Sequence, residues 1–273
     1  MDKIKIAIVG AGNGASSLIQ GIHYYRDKKS GNTNGLLRWD IGGYGPGDIE
    51  IVAAFEIDKQ KVGKDLNKAI FSGSTFIPDA GISVQMGRIL GGDSDIIKNS
   101  TGKETFVLAD YPEPTREEVV NTLKETGAEI IMNYIPAGSE DAARFYAYCA
   151  LDAEVSFVNN SPVCIADNSL WELKFEYKNI PLIGDNINSK FPFRHPLKSA
   201  GIAIDSIRCA KLALNRGLGG VILEPSAYFY EITHSIYNEE IFHMIEQFIN
   251  DEKDFCVEEM PDYGSRNRRM TLA

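Results

Sequence analysis

The sequence predicts an α/β protein with a doubly wound parallel sheet and with C-terminal helices that pack back on it. Three observations predict this fold. Short apolar runs rich in β-branched residues, typical of strands buried on both faces, alternate with segments whose apolar residues recur at helical spacing. A glycine cluster joins the first strand to the first helix. Because parallel neighbours need crossover connections, which are nearly always right-handed helices, the alternation favours a parallel sheet.

The first elements form one βαβ unit. An apolar run predicts a strand over Ile4 to Val9, helical spacing predicts a helix over Ala15 to Tyr25, and a second apolar run predicts a strand over Ile49 to Ile57. The segment Lys28 to Gly47 between them is rich in glycine, which indicates a long loop. Long loops in compact domains are often functional.

The later elements follow the same patterns. Pro114 and Thr115 start a helix, and Ser139 is the expected N-cap of another. An irregular stretch precedes Thr105, and a turn rich in glycine and proline links the last two helices. The predicted elements are helices Val62–Ile70 and Pro114–Thr126, strand Glu129–Asn133, helix Ser139–Leu151, strand Val155–Asn159, helix Asn168–Tyr177, strand Pro181–Gly184, and helices Ala200–Arg216 and Asn238–Asn250.

Composition and charge bound the function. The 273 residues are 44% apolar and 24% charged, as in a soluble globular protein, and no run approaches the roughly 18 to 20 apolar residues of a membrane span. The first residues enter a strand pattern without a signal sequence, so we expect a cytoplasmic protein. A net charge of −10 disfavours binding to nucleic acid or to an anionic membrane. The expected ligand is therefore a small molecule.

The cysteines indicate neither a disulfide framework nor a metal site. The four residues Cys149, Cys164, Cys209 and Cys256 lie in apolar contexts, without a C-x-x-C motif or histidines at metal-binding spacing. They are predicted to be core thiols in a reducing compartment.

The glycine cluster carries the main functional signal. Residues 10–15 read Gly-Ala-Gly-Asn-Gly-Ala, a G-x-G-x-x-A motif between a strand and a helix. In such a motif Gly10 permits the tight turn, Gly12 lets a pyrophosphate approach the backbone, and Ala15 allows close packing of helix and strand. The free N–H groups at the helix start bind the anion, and Asn13, Ser16 and Ser17 can add donors. These features predict a Rossmann-type NAD site.

An acidic residue at the end of the second strand completes the motif. Glu56 stands there, with Asp58 two residues on and pointing to the same side, and either carboxylate can accept hydrogen bonds from the adenosine ribose. No arginine stands beside Glu56, which favours NAD over NADP. Positions 10 and 56 are 46 residues apart, more than the usual ~20. The loop Lys28 to Gly47 accounts for the additional residues between the two positions. The alternative to a dinucleotide site is a tight glycine turn that binds no ligand.

The motif divides the chain into one dinucleotide-binding domain over residues 1–190, C-terminal helices over residues 199–260 that complete the same domain, and a polar tail over residues 261–273.

Several longer motifs resemble the prokaryotic branch of the myo-inositol-1-phosphate synthase family. They are GAGNGASSLIQGIHYY, IVAAFEIDKQKVG, NYIPAGSEDAARFYAYCAL, SFVNNSPVCIADNSLWELKF, PLIGDNINSK and SAGIAIDSIRCAKLALNRGLGGVILEPSAYF, in the family's order. Together they span most of residues 4 to 230.

The resemblance implies a bound NAD and a reaction on glucose 6-phosphate. In that reaction C5 is oxidised, the product enolises and closes by an aldol step between C1 and C6, and the same nicotinamide reduces the ring. By the matching motifs, the dinucleotide would be lined by Gly10, Gly12, Asn13, Gly14, Ala15, Ser16 and Glu56, covered by Asn133, Tyr134 and Pro136, and joined near the nicotinamide by Asp185 and Ser189.

The chain also departs from the family. A second, largely β domain that supplies lysines and builds the tetramer is missing, because residues 184–190 lead almost directly into Ser199. The family's G-D-D-x-K-S signature reads Gly-Asp-Asn-Ile-Asn-Ser, so an Asp and a Lys are both replaced by Asn. The parent reaction needs cations or donors for a phosphate and an enolate, and an acid or base for the aldol step.

Few residues are candidates for those roles. Besides Asp185, we consider Asp205, Arg208 and Lys211, which share one helix face, and the basic residues of the short linker, Lys190, Arg194, His195 and Lys198. They either form a residual phosphate pocket or are a solvated helix face and an exposed linker.

Three functions stay open from the sequence. The chain is an inositol-phosphate-synthase-like isomerase, a non-catalytic NAD-binding relative that pairs with a full-length homologue, or an NAD-dependent oxidoreductase on another polyol phosphate. A homo-oligomer is compatible with each.

Overall fold

The computed structural model describes residues 3–26, 28, 33–70, 79–90, 107–185, 196–230 and 238–250. Within them seven parallel strands form one sheet in the order β3-β2-β1-β4-β5-β6-β7. The strands are β1 Ile4–Val9, β2 Ile49–Glu56, β3 Gln85–Met86, β4 Ile130–Asn133, β5 Ser156–Asn159, β6 Pro181–Ile183 and β7 Gly220–Val221. The predicted doubly wound parallel sheet is confirmed.

Helices cover both faces of the sheet. They are α1 Asn13–Arg26, α2 Leu66–Ala69, α3 Arg116–Thr126, α4 Glu140–Ala153, α5 Ser169–Tyr177, α6 Pro196–Asn215, α7 Leu223–Tyr230 and α8 Asn238–Asn250. One core joins the sheet to α1, α6, α7 and α8, and the other joins it to α3, α4 and α5. The residues of β1 alternate between the two cores, with Ile6 and Ile8 in the first and Ala7 and Val9 in the second.

Local sequence signals set most element boundaries. Thr115 and Glu118 form a capping box at the start of α3, and Gly127 ends that helix in the left-handed conformation. Asn168 caps α5 by accepting a hydrogen bond from the Leu170 N–H. Ser139 stands at the N-cap of α4, but its side chain makes no capping hydrogen bond.

The structure corrects four predicted elements. The predicted helix Val62–Ile70 shrinks to the single turn α2, because residues 58–63 form a turn instead. Helix α6 begins at Pro196 rather than Ala200. The strand β3 lies in the stretch predicted to be irregular, and β7 with α7 lies where a turn was predicted. Strands of two residues carry too little pattern to be recognised without the partner strand.

The order of the strands locates a crevice. Strand β1 lies between β2 and β4, so the crossovers run in opposite directions on its two sides. In doubly wound sheets ligands bind outside the carboxyl ends of the strands at this point. We call the end of the sheet where the strands finish, which includes Glu56 and Gly184, the carboxyl edge. The end where the strands begin is called the amino edge. Among the described helices, none is long and apolar enough to cross a membrane.

Candidate functional site

The glycine turn lies at the carboxyl edge, between the end of β1 and the start of α1. Gly10 has φ +89°, in the left-handed region, and its N–H donates to the Phe55 carbonyl at 2.9 Å. A Cβ on Gly10 would lie 3.1 Å from the Tyr134 carbonyl oxygen, so the turn is closely packed there. A Cβ on Gly12 would meet no atom within 4 Å. The backbone at Gly12 is therefore open to a ligand, as a pyrophosphate site requires.

The neighbouring residues of the motif have different surroundings. Asn13 is exposed at the first position of α1, while Ala15 is buried in the core and packs the helix against the sheet. Ser16 is buried, and its hydroxyl accepts a hydrogen bond from Gln20 at 3.0 Å. Gly14 makes room for a ring, since a Cβ there would lie 2.5 Å from the Tyr134 Cδ1. Packing against Tyr134 is thus a sufficient reason for a glycine at position 14.

Glu56 meets the glycine turn directly. Its Oε2 accepts a hydrogen bond from the Ala11 N–H at 2.9 Å, and its Oε1 accepts one from the Ile57 N–H at 2.8 Å. Oε2 also accepts a long hydrogen bond from Lys61 Nζ at 3.5 Å, so Oε1 is the oxygen that keeps a further acceptor position for a ligand hydroxyl. The structure therefore brings together the acidic residue and the turn that the sequence pairs across 46 positions.

Lys61 stands beside this carboxylate, a cation that the sequence reasoning missed. Its Nζ lies 3.5 Å from Glu56 Oε2 and 3.9 Å from Asp58 Oδ2. Asp58 is buried, and its carboxylate caps its own turn by accepting from the Gln60 N–H at 2.9 Å. Asp58 thus caps its own turn, whereas Glu56 contacts the glycine turn. In the sequence Lys61 follows Glu56 by five residues. Neither helical nor strand periodicity predicts a contact at that spacing.

A buried polar network joins the carboxyl ends of β4, β5 and β6. Asn133 Nδ2 donates to Asn159 Oδ1 at 2.7 Å, and Asn159 Nδ2 donates to Asp185 Oδ1 at 2.6 Å. All three side chains are buried. Burial raises the pKa of Asp185, and hydrogen bonds from Ala166, Asn159, Asp167 and Ile165 oppose that shift. The sequence reasoning included Asn133 and Asp185 but missed Asn159, which connects them.

Tyr134 and Pro136 follow β4 at the same edge. The Tyr134 N–H donates to the Val9 carbonyl at 2.8 Å, which places this residue over the switch point. Burial, with Tyr230 close by, raises the pKa of the Tyr134 hydroxyl well above its usual value. Pro136 is exposed. Ser189, Lys190, Arg194 and His195 lie outside the described residues, as does the side chain of Lys198.

Asp205 and Arg208 lie elsewhere, between α6 and the predicted long loop. They form a buried ion pair, and Arg208 also donates to the carbonyls of Trp39, Tyr44 and Arg38 at 2.7, 3.1 and 2.8 Å. The Leu37 N–H donates to Asp205. The pair therefore holds loop residues 37–44 against α6. Because both side chains are buried and paired with each other, the Asp205–Arg208 pair is neither a phosphate pocket nor part of a solvated helix face.

Lys211 is at the amino edge of the sheet. It forms an ion pair with Glu129, the residue before β4. The structure thus does not bring Lys211 to the glycine turn, and the described part of the predicted long loop also packs on α6 rather than on the crevice. Helical spacing grouped Asp205, Arg208 and Lys211, but it could not show which partner each side chain reaches.

The thiols differ in burial. Cys149 and Cys209 are buried, as predicted, whereas Cys164 is exposed, because it lies in the loop after β5. Cys256 lies outside the described residues. Within the part of the chain that the structure describes, no group of three His, Cys, Asp or Glu side chains could hold a metal ion.

Comparison with known proteins gives several relatives named inositol-3-phosphate synthase. The chain is 39% identical over 223 residues to the inositol-3-phosphate synthase of Mycolicibacterium smegmatis, which covers 79% of this chain and 57% of the relative. It is 40% identical over 194 residues to the inositol-3-phosphate synthase of Corynebacterium glutamicum, covering 68% and 51%. The chain thus spans little more than half the length of the curated relatives that it matches. No protein-family model matches the sequence.

Two solved structures share the fold. The crystal structure of Ari2 has a TM-score of 0.69 at 22% identity and covers 90% of this chain and 98% of its own. A myo-inositol-1-phosphate synthase-related protein from Thermotoga maritima has a TM-score of 0.59 at 16% identity and covers 83% and 91%.

Proposed function

Since this chain belongs to the inositol-3-phosphate synthase family, we propose that it binds NAD at the carboxyl edge and acts on a sugar phosphate, converting glucose 6-phosphate into an inositol phosphate. The observation that carries the proposal is the contact between Glu56 and the glycine turn, beside an open backbone at Gly12. NAD, when bound, supplies a hydride acceptor that can return the hydride later in the same turnover.

The residues at the β1–β2 side fit the adenosine half of NAD. The backbone at Gly12 and the N–H groups at the start of α1 would hold the diphosphate, because the helix dipole favours an anion there. Glu56 would accept a hydrogen bond from a ribose hydroxyl through the acceptor position that Oε1 keeps. Lys61 stands beside two carboxylates, so a 2′-phosphate would meet net negative charge. NAD is therefore preferred to NADP.

The residues at the β4–β6 side would hold the nicotinamide half and the substrate. Tyr134 and the loops after β4 and β5 form that side of the crevice. Within the described residues at these strand ends, 134–139, 160–168 and 184–185, there is no Lys, Arg or His. A phosphate group of the substrate would need cations from elsewhere, for example from the linker residues Lys190, Arg194 and His195.

Two observations favour a second candidate function. The described strand ends hold no cation, and Asn stands at positions 186 and 188 where the family has Asp and Lys. The second candidate is a chain that binds NAD without turnover, as a partner of a longer homologue. The two candidates share the cofactor site and differ in catalysis.

Calorimetry tests the cofactor site. NAD should bind to the wild-type chain more tightly than NADP, and Glu56→Gln should weaken NAD binding by about tenfold or more, since a hydrogen bond to a charged group contributes roughly 1.5 to 3 kcal/mol. Glu50→Gln is the matched control, because Glu50 is exposed on the same strand. Absence of NAD binding by the wild-type protein would contradict the proposal.

Incubation with glucose 6-phosphate and NAD separates the two candidates. Formation of an inositol phosphate supports the synthase. Stoichiometric NAD without product, under conditions where a full-length relative is active, supports the non-catalytic partner.

A further inference from the structure

The Asp185 carboxylate is saturated by the protein. It accepts hydrogen bonds from the Ile165 N–H at 2.7 Å, the Ala166 N–H at 2.9 Å and the Asp167 N–H at 3.0 Å. The Asn159 side chain donates a fourth at 2.6 Å. Two oxygens offer about four acceptor positions, so no position is left for a ligand. With 0% of its surface exposed, Asp185 does not reach the crevice.

The four donors belong to the loop after β5 and to the strand itself. Asn159 also donates to the Val163 carbonyl at 2.7 Å, and the Val163 N–H donates to Ser161 Oγ at 3.3 Å. The loop 161–167 is therefore held from inside by Asn159 and Asp185. Asn133 extends the connection, since it donates to Asn159 and accepts from the Ile135 N–H at 3.2 Å.

This loop lies on the side of the crevice opposite Glu56. A dinucleotide crosses the switch point with one half on each side. Glu56 on β2 marks the adenosine half, so the loops after β4 and β5 lie beside the nicotinamide half.

We propose that Asp185 is a positioning residue, which shapes the nicotinamide half of the site by holding loop 161–167 and does not touch cofactor or substrate. The inference rests on the proposed NAD site. It replaces the expectation that Asp185 is catalytic.

The test compares NAD with ADP-ribose, which lacks the nicotinamide. Asp185→Asn places an amide where three N–H donors converge, so the loop must shift. We expect this variant to bind NAD at least about tenfold more weakly than the wild type, which is roughly 1.4 kcal/mol, and to bind ADP-ribose within about twofold. Calorimetry of both ligands gives the two ratios.

Asp65→Asn is the matched control. Asp65 also accepts three backbone N–H groups, from Asn67, Ala80 and Gly81, but it caps α2. We expect it to lower the free energy of unfolding and to leave both affinities unchanged. If Asp185→Asn does not fold, Asn159→Ala gives the same comparison, because it removes one donor and leaves the backbone donors in place.

Two results would overturn the inference. One is an Asp185→Asn variant that binds NAD like the wild type, and the other is an equal loss of NAD and ADP-ribose, which indicates a general structural role. Failure of the wild-type chain to bind either ligand would instead overturn the proposed NAD site, and the inference with it.

Discussion

Two buried aspartates, Asp185 and Asp205, are stabilised in different ways. Asp185 at the carboxyl edge is surrounded by three N–H groups and an amide, without a cation. Asp205 on α6 is paired with Arg208, which also donates to three carbonyls of the loop before β2. Both solutions satisfy a buried carboxylate. The comparison teaches that an ion pair holds the loop before β2 against α6, while neutral donors hold the loop after β5 against Asp185.

The largest effect is expected from Arg208→Ala. This change leaves the buried Asp205 with the Leu37 N–H but without a cation, and it removes one donor from each of three loop carbonyls. Breaking a buried pair costs about 3 to 5 kcal/mol. Urea unfolding should show that loss, while the folded variant binds NAD with the wild-type affinity. The double variant Asp205→Asn/Arg208→Met should recover part of the stability. A fall in NAD affinity in parallel with stability would contradict the assignment of Arg208 to the fold.

The next largest effects are expected in the glycine turn, where Gly14→Ala should lower stability and Gly12→Ala should weaken NAD binding. In Gly14→Ala the new methyl group meets the Tyr134 ring at 2.5 to 2.7 Å, and such overpacking costs about 1 to 3 kcal/mol. In Gly12→Ala the methyl group meets nothing within 4 Å, so the free energy of unfolding should change by less than about 0.5 kcal/mol. Gly12→Ala should nevertheless weaken NAD binding about tenfold, because the methyl group occupies the diphosphate approach. Equal affinities of Gly12→Ala and wild type would argue against this approach path.

A pH series sharpens the comparison of the two aspartates. Burial raises the pKa of Asp205 from 3.8 to about 6, against the effects of Arg208 and the Leu37 N–H. Between those values the native state holds a proton that the unfolded chain has lost, so the contribution of Asp205 to the free energy of unfolding falls as pH rises. The difference between wild type and Asp205→Asn should therefore decrease from pH 4 to 6 and stay constant above about pH 7. A difference that grows over this window would contradict the raised pKa.

The smallest effect is expected from Lys211→Ala. Lys211 pairs with Glu129 at a partly exposed position of the amino edge, and such pairs contribute about 0 to 1 kcal/mol. Stability should fall slightly, and NAD affinity and any turnover should equal those of the wild type. A loss of turnover at unchanged stability would restore Lys211 as a catalytic candidate.

The contact between the glycine turn and Glu56 was predictable from the sequence. Gly10, Gly12 and Glu56 lie at strand ends whose apolar runs are unmistakable, and the fold class then brings the ends together. The polar network at the ends of β4, β5 and β6 was less predictable. Asn159 and Asp185 carry no motif that distinguishes a saturated carboxylate from a catalytic one, since the four donors of Asp185 come from another part of the chain.

Local patterns determined most of the strands and helices and the place of the glycine turn, because propensity, periodicity and caps act over a few residues. The short strands β3 and β7 and the helix α7 were not recognised in this way. Only the tertiary structure decided what each charged side chain does. Asp205 and Lys211 lie six residues apart on α6, yet one is paired with Arg208 beneath a loop and the other with Glu129 at the amino edge. The physical reason is that the free energy of a buried charge depends on the donors around it, and those donors come from residues far away in the chain.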